Sequence, residues 1–363
     1  MTVLQSGYGP MNADLMLDSR LDNISWGLLP NSGSRGVLSM RSGQSVCIDT
    51  VSHEGLLADQ GRDPRAFFGA AGIASHLLLD DVLAIAASDL PHDPGSVGPH
   101  VVTGPIEVVG AQPGDVLEVE VLELLQRAPY GVISNRHGRG ALPGELPAPP
   151  LGWVDGDPID PVCLVARAEG DTGLLPVGDG RTIRFPLKPF LGIMGVAPGV
   201  SSPVNSVPPG RHGGNIDVNL LGVGARLFLP VQVPGAMFYV SDPHFAQGDG
   251  EVALTAFEAP LRATLRLTVH SDARAKRLAS SLTAPWAETA DLHIVLGLDQ
   301  DLNAAMRDAT RNSLRFLAET CSLPASVALA YLSAAADFEV SQVVDQVKGI
   351  HCCIRKSDLK SLG

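Results

Sequence analysis

The chain has 363 residues, a formal net charge of -13 at neutral pH, five cysteines, 39 glycines and 28 prolines. An acidic balance without a Lys/Arg cluster argues against nucleic acid or an anionic membrane surface as partner. The few scattered cysteines argue against a secreted disulfide framework, and no segment reaches the length of a bilayer span.

Glycine and proline spread along the whole chain favour many short strands and turns over long helices. The N-terminal stretch has no basic segment followed by an apolar run, so a cytoplasmic, soluble protein is expected. Residues 34–52 read as strands broken by Gly and Ser, and residues 76–89 as a short buried helix or a strand. Leu117, Val119 and Val121 alternate with Glu118 and Glu120, the mark of a strand with one wet face. The phase changes at Val121-Leu122, which predicts a bulge or a strand end. Residues 126–160, rich in Pro, Gly and Arg, are expected to form a long irregular excursion, a candidate lid or binding loop. Residues 181–210 mix short strands with irregular backbone. Residues 225–240 read as two apolar strands, with Pro230 and Pro234 confining them to edges or bends.

In residues 261–270, Leu261, Ala263, Leu265, Leu267 and Val269 face one way. Arg262, Thr264, Arg266 and Thr268 face the other, which predicts an antiparallel sheet with one solvated face. The character changes near Asp299. Leu302, Met306, Ala309, Ser313 and Leu317 fall at helical spacing. A second helix is expected after Cys321, with Ser322 as its cap and Pro324 in its first turn. Its stretch VALAYLSAAA is apolar nearly all round, so deep burial is expected. Two β segments, around EVSQVVDQ and IHCCIRK, close the chain. The predicted fold class is mainly β (α+β): an antiparallel β-sandwich-like core with a C-terminal helical hairpin and short β segments. One unit is expected over residues 1–363, with a β-rich core in 1–298 that includes the 126–160 excursion, and the hairpin and terminal β segments in 299–363.

No G-x-S-x-G elbow, P-loop or H-E-x-x-H is present, which lowers the prior for a serine hydrolase or nucleotide enzyme. Two stretches concentrate chemistry: RHGGNIDVN, with His212, Asn215 and Asp217, and SDPHFAQGDGE, with Asp242, His244, Asp249 and Glu251. About 25 residues of strand separate them, enough to run out and return in a sheet, so both can sit at one edge. Imidazole and carboxylate are natural ligands for a hydrolytic zinc or a harder divalent ion. His100, just before an apolar strand, is a third candidate. Singly, His100 and His212 read equally as hydrogen-bonded turn residues, and Asp217 and Asp249 as turn formers. Glu251 opens an apolar strand, where an unpaired carboxylate is costly. None of the cysteines sits in a nucleophile's context.

HGGNIDVNLL, FYVSDPHFAQGDGEV and TGPIEVVGAQPGDVLEV resemble the acetamidase/formamidase family, as do FLGIMGVAPG and AADFEVSQVVD. The resemblance runs from Cys47 to Ile354. It implies a β-rich, cytoplasmic homo-oligomer that hydrolyses short aliphatic amides to a carboxylate and ammonia with a divalent metal, zinc first and calcium or another divalent ion as the alternative. The expected metal ligands are His100, Asp217 and His244. Glu251 is the expected general base, with Asn215 donating to the oxyanion and Asp242 also catalytic. Gln247, His212 and His53 are expected to contact substrate. The DTVSHEGLL stretch around His53 departs from the formamidase-like pattern, as does the 126–160 excursion, and both bear on which amide is cut. Another small C–N substrate is the alternative hydrolytic reading. A metal-stabilised β-sandwich with a binding role is the non-catalytic one.

Overall fold

A computed structural model describes residues 3–362. Alternating apolar residues build two large sheets. One has nine strands, with Leu15–Leu17 and Ser45–Asp49 at one edge and Lys348–Arg355 and Asp337–Gln342 at the other. At its centre Leu261–His270 and Val116–Gln126 pair antiparallel over ten register positions. Leu122 is left unpaired where Thr264 faces Glu123 and Leu265 faces Val121, which is the bulge that the phase change predicts. The second sheet, of eleven strands, carries Phe190–Val196, Phe238–Ala246 and Val101–Val109 at its heart. Leu117, Val119, Val121, Ala263, Leu265 and Leu267 of the first sheet pack on Met194, Val196, Phe238, Val240 and Phe245 of the second in one continuous apolar layer. The core is therefore sandwich-like and mostly antiparallel, as expected.

The helix Leu302–Cys321 covers the outer face of the first sheet. Asp301 caps it by accepting from the Ala304 N–H at 2.8 Å. It lies so close that a Cβ on Gly297 would sit 2.0 Å from the Ala309 nitrogen, so only glycine permits the approach. Among the described residues no single helix is long and apolar enough to cross a membrane.

Five local expectations are corrected. The excursion begins at Arg136, because Tyr130–Asn135 is a strand whose Tyr130, Val132 and Ser134 point into buried surroundings. Residues 162–169 and 172–176 then return as further strands of the same sheet. Arg262 and Thr264 do not face solvent. Arg262 is buried and forms a bidentate pair with Asp49 at 2.7 and 2.8 Å, and it donates to the Tyr8 carbonyl at 2.6 Å. Met306 points outward at 40% exposure while Ala305 and Phe316 point in, so the helix stripe is rotated from the expected one. Ser322 ends the first helix in a left-handed conformation (φ 56°) instead of capping the second, and Pro324 precedes the second helix, Ala325–Ala335. That second helix buries only Ala328 and Leu332, with Val327 and Leu329 about half exposed, because the sheet beneath it is already covered by the first helix.

Candidate active site

The strand Phe190–Val196 pairs on one side with Phe238–Ala246 and on the other with Gly213–Asn215. The two chemically dense stretches thus flank one strand, with Asn215 and Ser241 both in register with Ile193. Asp217, Asp242 and Glu251 all take left-handed backbone (φ 46°, 56° and 46°). Such a conformation is uncommon for side chains other than Gly, Asn and Asp, and costs on the order of 1–3 kcal/mol unless the surroundings impose it. Here it turns three carboxyl groups into the interior. Asp217, Asp242 and His244 crowd over Gly192: a Cβ there would lie 2.3 Å from Asp217 Oδ1, 2.7 Å from Asp242 Oδ2 and 2.9 Å from His244 Cε1.

Three ligand-type groups converge on the wall of a cavity of about 370 Å³: His53, His100 and Asp242. His53 Nδ1 and His100 Nε2 each stand 3.7 Å from Asp242 Oδ1. His53 Nδ1 and Asp242 Oδ1 are buried and have no hydrogen-bond partner. The other nitrogen of each ring is occupied. His100 Nδ1 is 2.8 Å from Ser206 Oγ, and His53 Nε2 is 3.4 Å from Glu54 Oε1. Glu54 is itself held by Arg136 at 3.1 Å and by the Ser134 hydroxyl at 2.8 Å. An outer partner that fixes ring orientation while leaving one nitrogen free is what a metal-ligating histidine requires.

Behind this group lies a second layer. His244 Nε2 is 3.1 Å from Asp242 Oδ2 and 2.9 Å from Glu258 Oε1, and its Nδ1 is 3.9 Å from Asp217 Oδ1. Asp217, Glu251 and Asp345 form a carboxyl cluster within 4.8 Å beside it. The electrostatics follow from burial and neighbours. Burial drives His100 down to about 4 despite the pull of Asp242. Burial, then Asp242, raises Glu258 to about 7. Burial, then Asp217, raises Glu251 well above the carboxylate range. Against its own burial, Asp242 is held well below that range by His244 and His100. Burial opposes charge on His53, yet Glu54, Glu258 and Asp242 raise it.

The predicted residues divide. His53, His100, Asn215, Asp242 and Glu251 line the cavity. Asp217 and His244, which do not line the cavity, form a second ligand-type group with Asp242 that does not include His100. His100 groups instead with His53, which the sequence reading assigned to substrate contact. Gln247 donates to the Asp217 and Ser341 carbonyls at 3.0 and 3.1 Å, so it staples backbone and does not line the cavity. His212 is partly buried outside the cavity, against Gly210 and Gly214, and desolvation lowers it to about 4. Glu54, Glu258 and Asp345 were missed. Asp345 lies in the quoted FEVSQVVD string, the one signal that could have found it. A separate group of Glu339, His351 and Cys353 reads as structural, because His351 already engages Ser341 at 2.9 Å and Glu339 at 3.2 Å.

Residues 200–354 match the family model described as the Acetamidase/Formamidase family. The acetamidase of Mycolicibacterium smegmatis is 28% identical over 198 residues, covering 42% of this chain and 49% of that protein. The formamidase of Methylophilus methylotrophus is 28% identical over 191 residues, covering 42% and 47%. The matched region spans about half the length of these curated relatives. Among solved structures, an acetamidase from Bacillus halodurans superposes with a TM-score of 0.72 at 27% identity, covering 96% of this chain and 99% of that one.

Proposed function

We propose, on the match of residues 200–354 to the Acetamidase/Formamidase family model and the likeness to an acetamidase fold, that the chain hydrolyses a carboxamide to a carboxylate and ammonia, with a divalent metal ion held by His53, His100 and Asp242. The observation that carries the metal assignment is the orphaned pair of His53 Nδ1 and Asp242 Oδ1, buried and 3.7 Å apart in two residues that line the cavity. A buried carboxylate oxygen and imidazole nitrogen left without partners are costly. Two histidines and one carboxylate are a donor set that suits zinc and leaves a position for water or substrate. This assignment replaces Asp217 and His244 with His53 and Asp242 as ligands beside His100.

When bound, such an ion polarises a carbonyl and lowers the pKa of water. The chain's own residues supply the rest. Glu258, poised near 7 with Oε2 unpartnered, accepts the proton of the attacking water. Glu251, whose affinity for a proton is raised by burial and by Asp217, delivers a proton to the leaving nitrogen. In this reading the base role expected for Glu251 passes to Glu258, whose Oε2 is buried without a partner. Asn215 lines the cavity and offers its amide N–H to the oxyanion. Asp217 and Asp345 stand beside Glu251 in one carboxyl cluster, with Asp345 on the cavity wall. A homo-oligomer is part of the reading, supported by the half-exposed apolar side chains of Val327 and Leu329 on the second helix.

The test is paired. His100→Ala and Asp242→Asn should each lose divalent metal by elemental analysis and ammonia release from amides together, while keeping the wild-type circular dichroism. Full metal occupancy in both variants would remove these residues from the ligand set.

A further inference from the structure

The cavity is much larger than a two-carbon amide needs. At about 30 Å³ per heavy atom, the share of one liquid water, formamide or acetamide would take about 90–120 Å³. The cavity measures about 370 Å³. Beside the reacting groups, its lining includes the aliphatic side chains of Leu57, Val97, Val207, Leu254 and Val344. Leu254 holds a strained φ of 123°, a conformation that persists only where the surroundings impose it.

Several polar side chains of the lining are already engaged. His92 stacks on Trp26 at 4.3 Å, and its Nε2 is tied to the Gly98 carbonyl at 3.0 Å. Asn205 accepts from the Val207 N–H at 2.9 Å and donates to the Ser96 carbonyl at 3.3 Å. Arg136 is neutralised by Asp59 at 2.6 Å and Glu54 at 3.1 Å. What remains for a ligand is mainly the aliphatic surface, with the amide of Gln346 and the exposed Arg139 as polar groups.

We infer that the substrate is an amide carrying an apolar acyl chain of about four to eight carbons, seated against Leu57, Val207, Leu254 and Val344. This inference rests on the hydrolytic reading and narrows its substrate class. A chain with net charge -13 and a single free guanidinium at the rim gives an anionic tail little to gain.

The experiment measures kcat/KM by ammonia release for acetamide, butyramide, hexanamide and the ω-carboxylated analogue of hexanamide, using the full chain loaded with zinc. Burial of each added methylene should raise kcat/KM about four-fold. Hexanamide should then exceed acetamide by about two orders of magnitude. Val344→Trp, at a half-exposed position, and Val207→Trp should each cut the hexanamide-to-acetamide ratio at least ten-fold. Acetamide turned over as well as hexanamide would overturn the inference while leaving the hydrolytic reading intact. Preference for the carboxylated analogue would overturn it in favour of recognition by Arg139. An unchanged ratio in both tryptophan variants would also overturn it. No ammonia from any amide would overturn the inference together with the hydrolytic reading.

Discussion

Gly192→Ala probes the packing of the site with the smallest chemical change available. The backbone at Gly192 is one that alanine adopts, so the effect arises from the added methyl alone. That methyl would lie 2.3 Å from Asp217 Oδ1 and 2.7 Å from Asp242 Oδ2, where ordinary contact begins at 3.4 Å. Asp217 must therefore retreat by about 1 Å, and Asp242 and His244 by somewhat less. A misplacement of about 1 Å at reacting groups can cost on the order of 100-fold in rate. The same overpacking destabilises a filled interior by about 1–3 kcal/mol, too little to unfold a domain of this size. The expected result is a loss of about 100-fold in kcat/KM with reduced metal content and a thermal transition lowered by a few degrees. Kinetics and metal content within three-fold of wild type would refute the reasoning, because Asp217, Asp242 and His244 could then not be held where they are described.

Three further outcomes follow from the same structure. Glu258 sits at about 7 in the fold against an unfolded value of 4.5, so between those values the folded state keeps a proton that the unfolded chain has released. Stability of the metal-free protein therefore falls as pH rises through that window, and Glu258→Gln should flatten the fall in a urea titration series; equal slopes in the two proteins would contradict the assigned environment. Asp49 is the shared partner of buried Arg262, at 2.7 Å, and Arg127, at 3.4 Å. Asp49→Asn should lower the unfolding free energy by about 3–5 kcal/mol, and a change below 1 kcal/mol would show that the pairs are solvated. Burial pushes the Cys352 and Cys353 thiols up to about 12, which leaves them protonated and unreactive. Iodoacetamide should leave ammonia release intact, and its loss on alkylation would revive a thiol nucleophile.

The strands were legible where one face is apolar, as in Leu117–Val121 and Leu261–Val269, because period-2 burial writes itself into the sequence. Tyr130–Asn135 was not, since Pro129 and Gly131 mask a strand whose partners lie in Phe257–Glu258 and Val162–Glu169. Arg262 misled for a related reason. Its partner Asp49 and the carbonyl of Tyr8 are far away in the chain, and only the fold turns a nominally solvated face into a buried ion pair. The helix Ala325–Ala335 shows that an apolar composition predicts a need for burial and not its location. At the site, Asn215, Asp217, Asp242, His244 and Glu251 were found because two short stretches carry them densely. Glu258 sits alone among Phe257, Ala259 and Pro260, and its role arises only where the strands bring it to His244. The grouping of His53 with Asp242 is likewise tertiary: Glu54 and Arg136 orient the ring from segments that have no common spacing.

The measurement that tests the central claim most directly is ammonia release from hexanamide and acetamide by the purified chain, before chelation, after it, and after zinc is restored. The account predicts release that chelation abolishes and zinc restores. Undiminished release from protein shown by elemental analysis to be metal-free would contradict it.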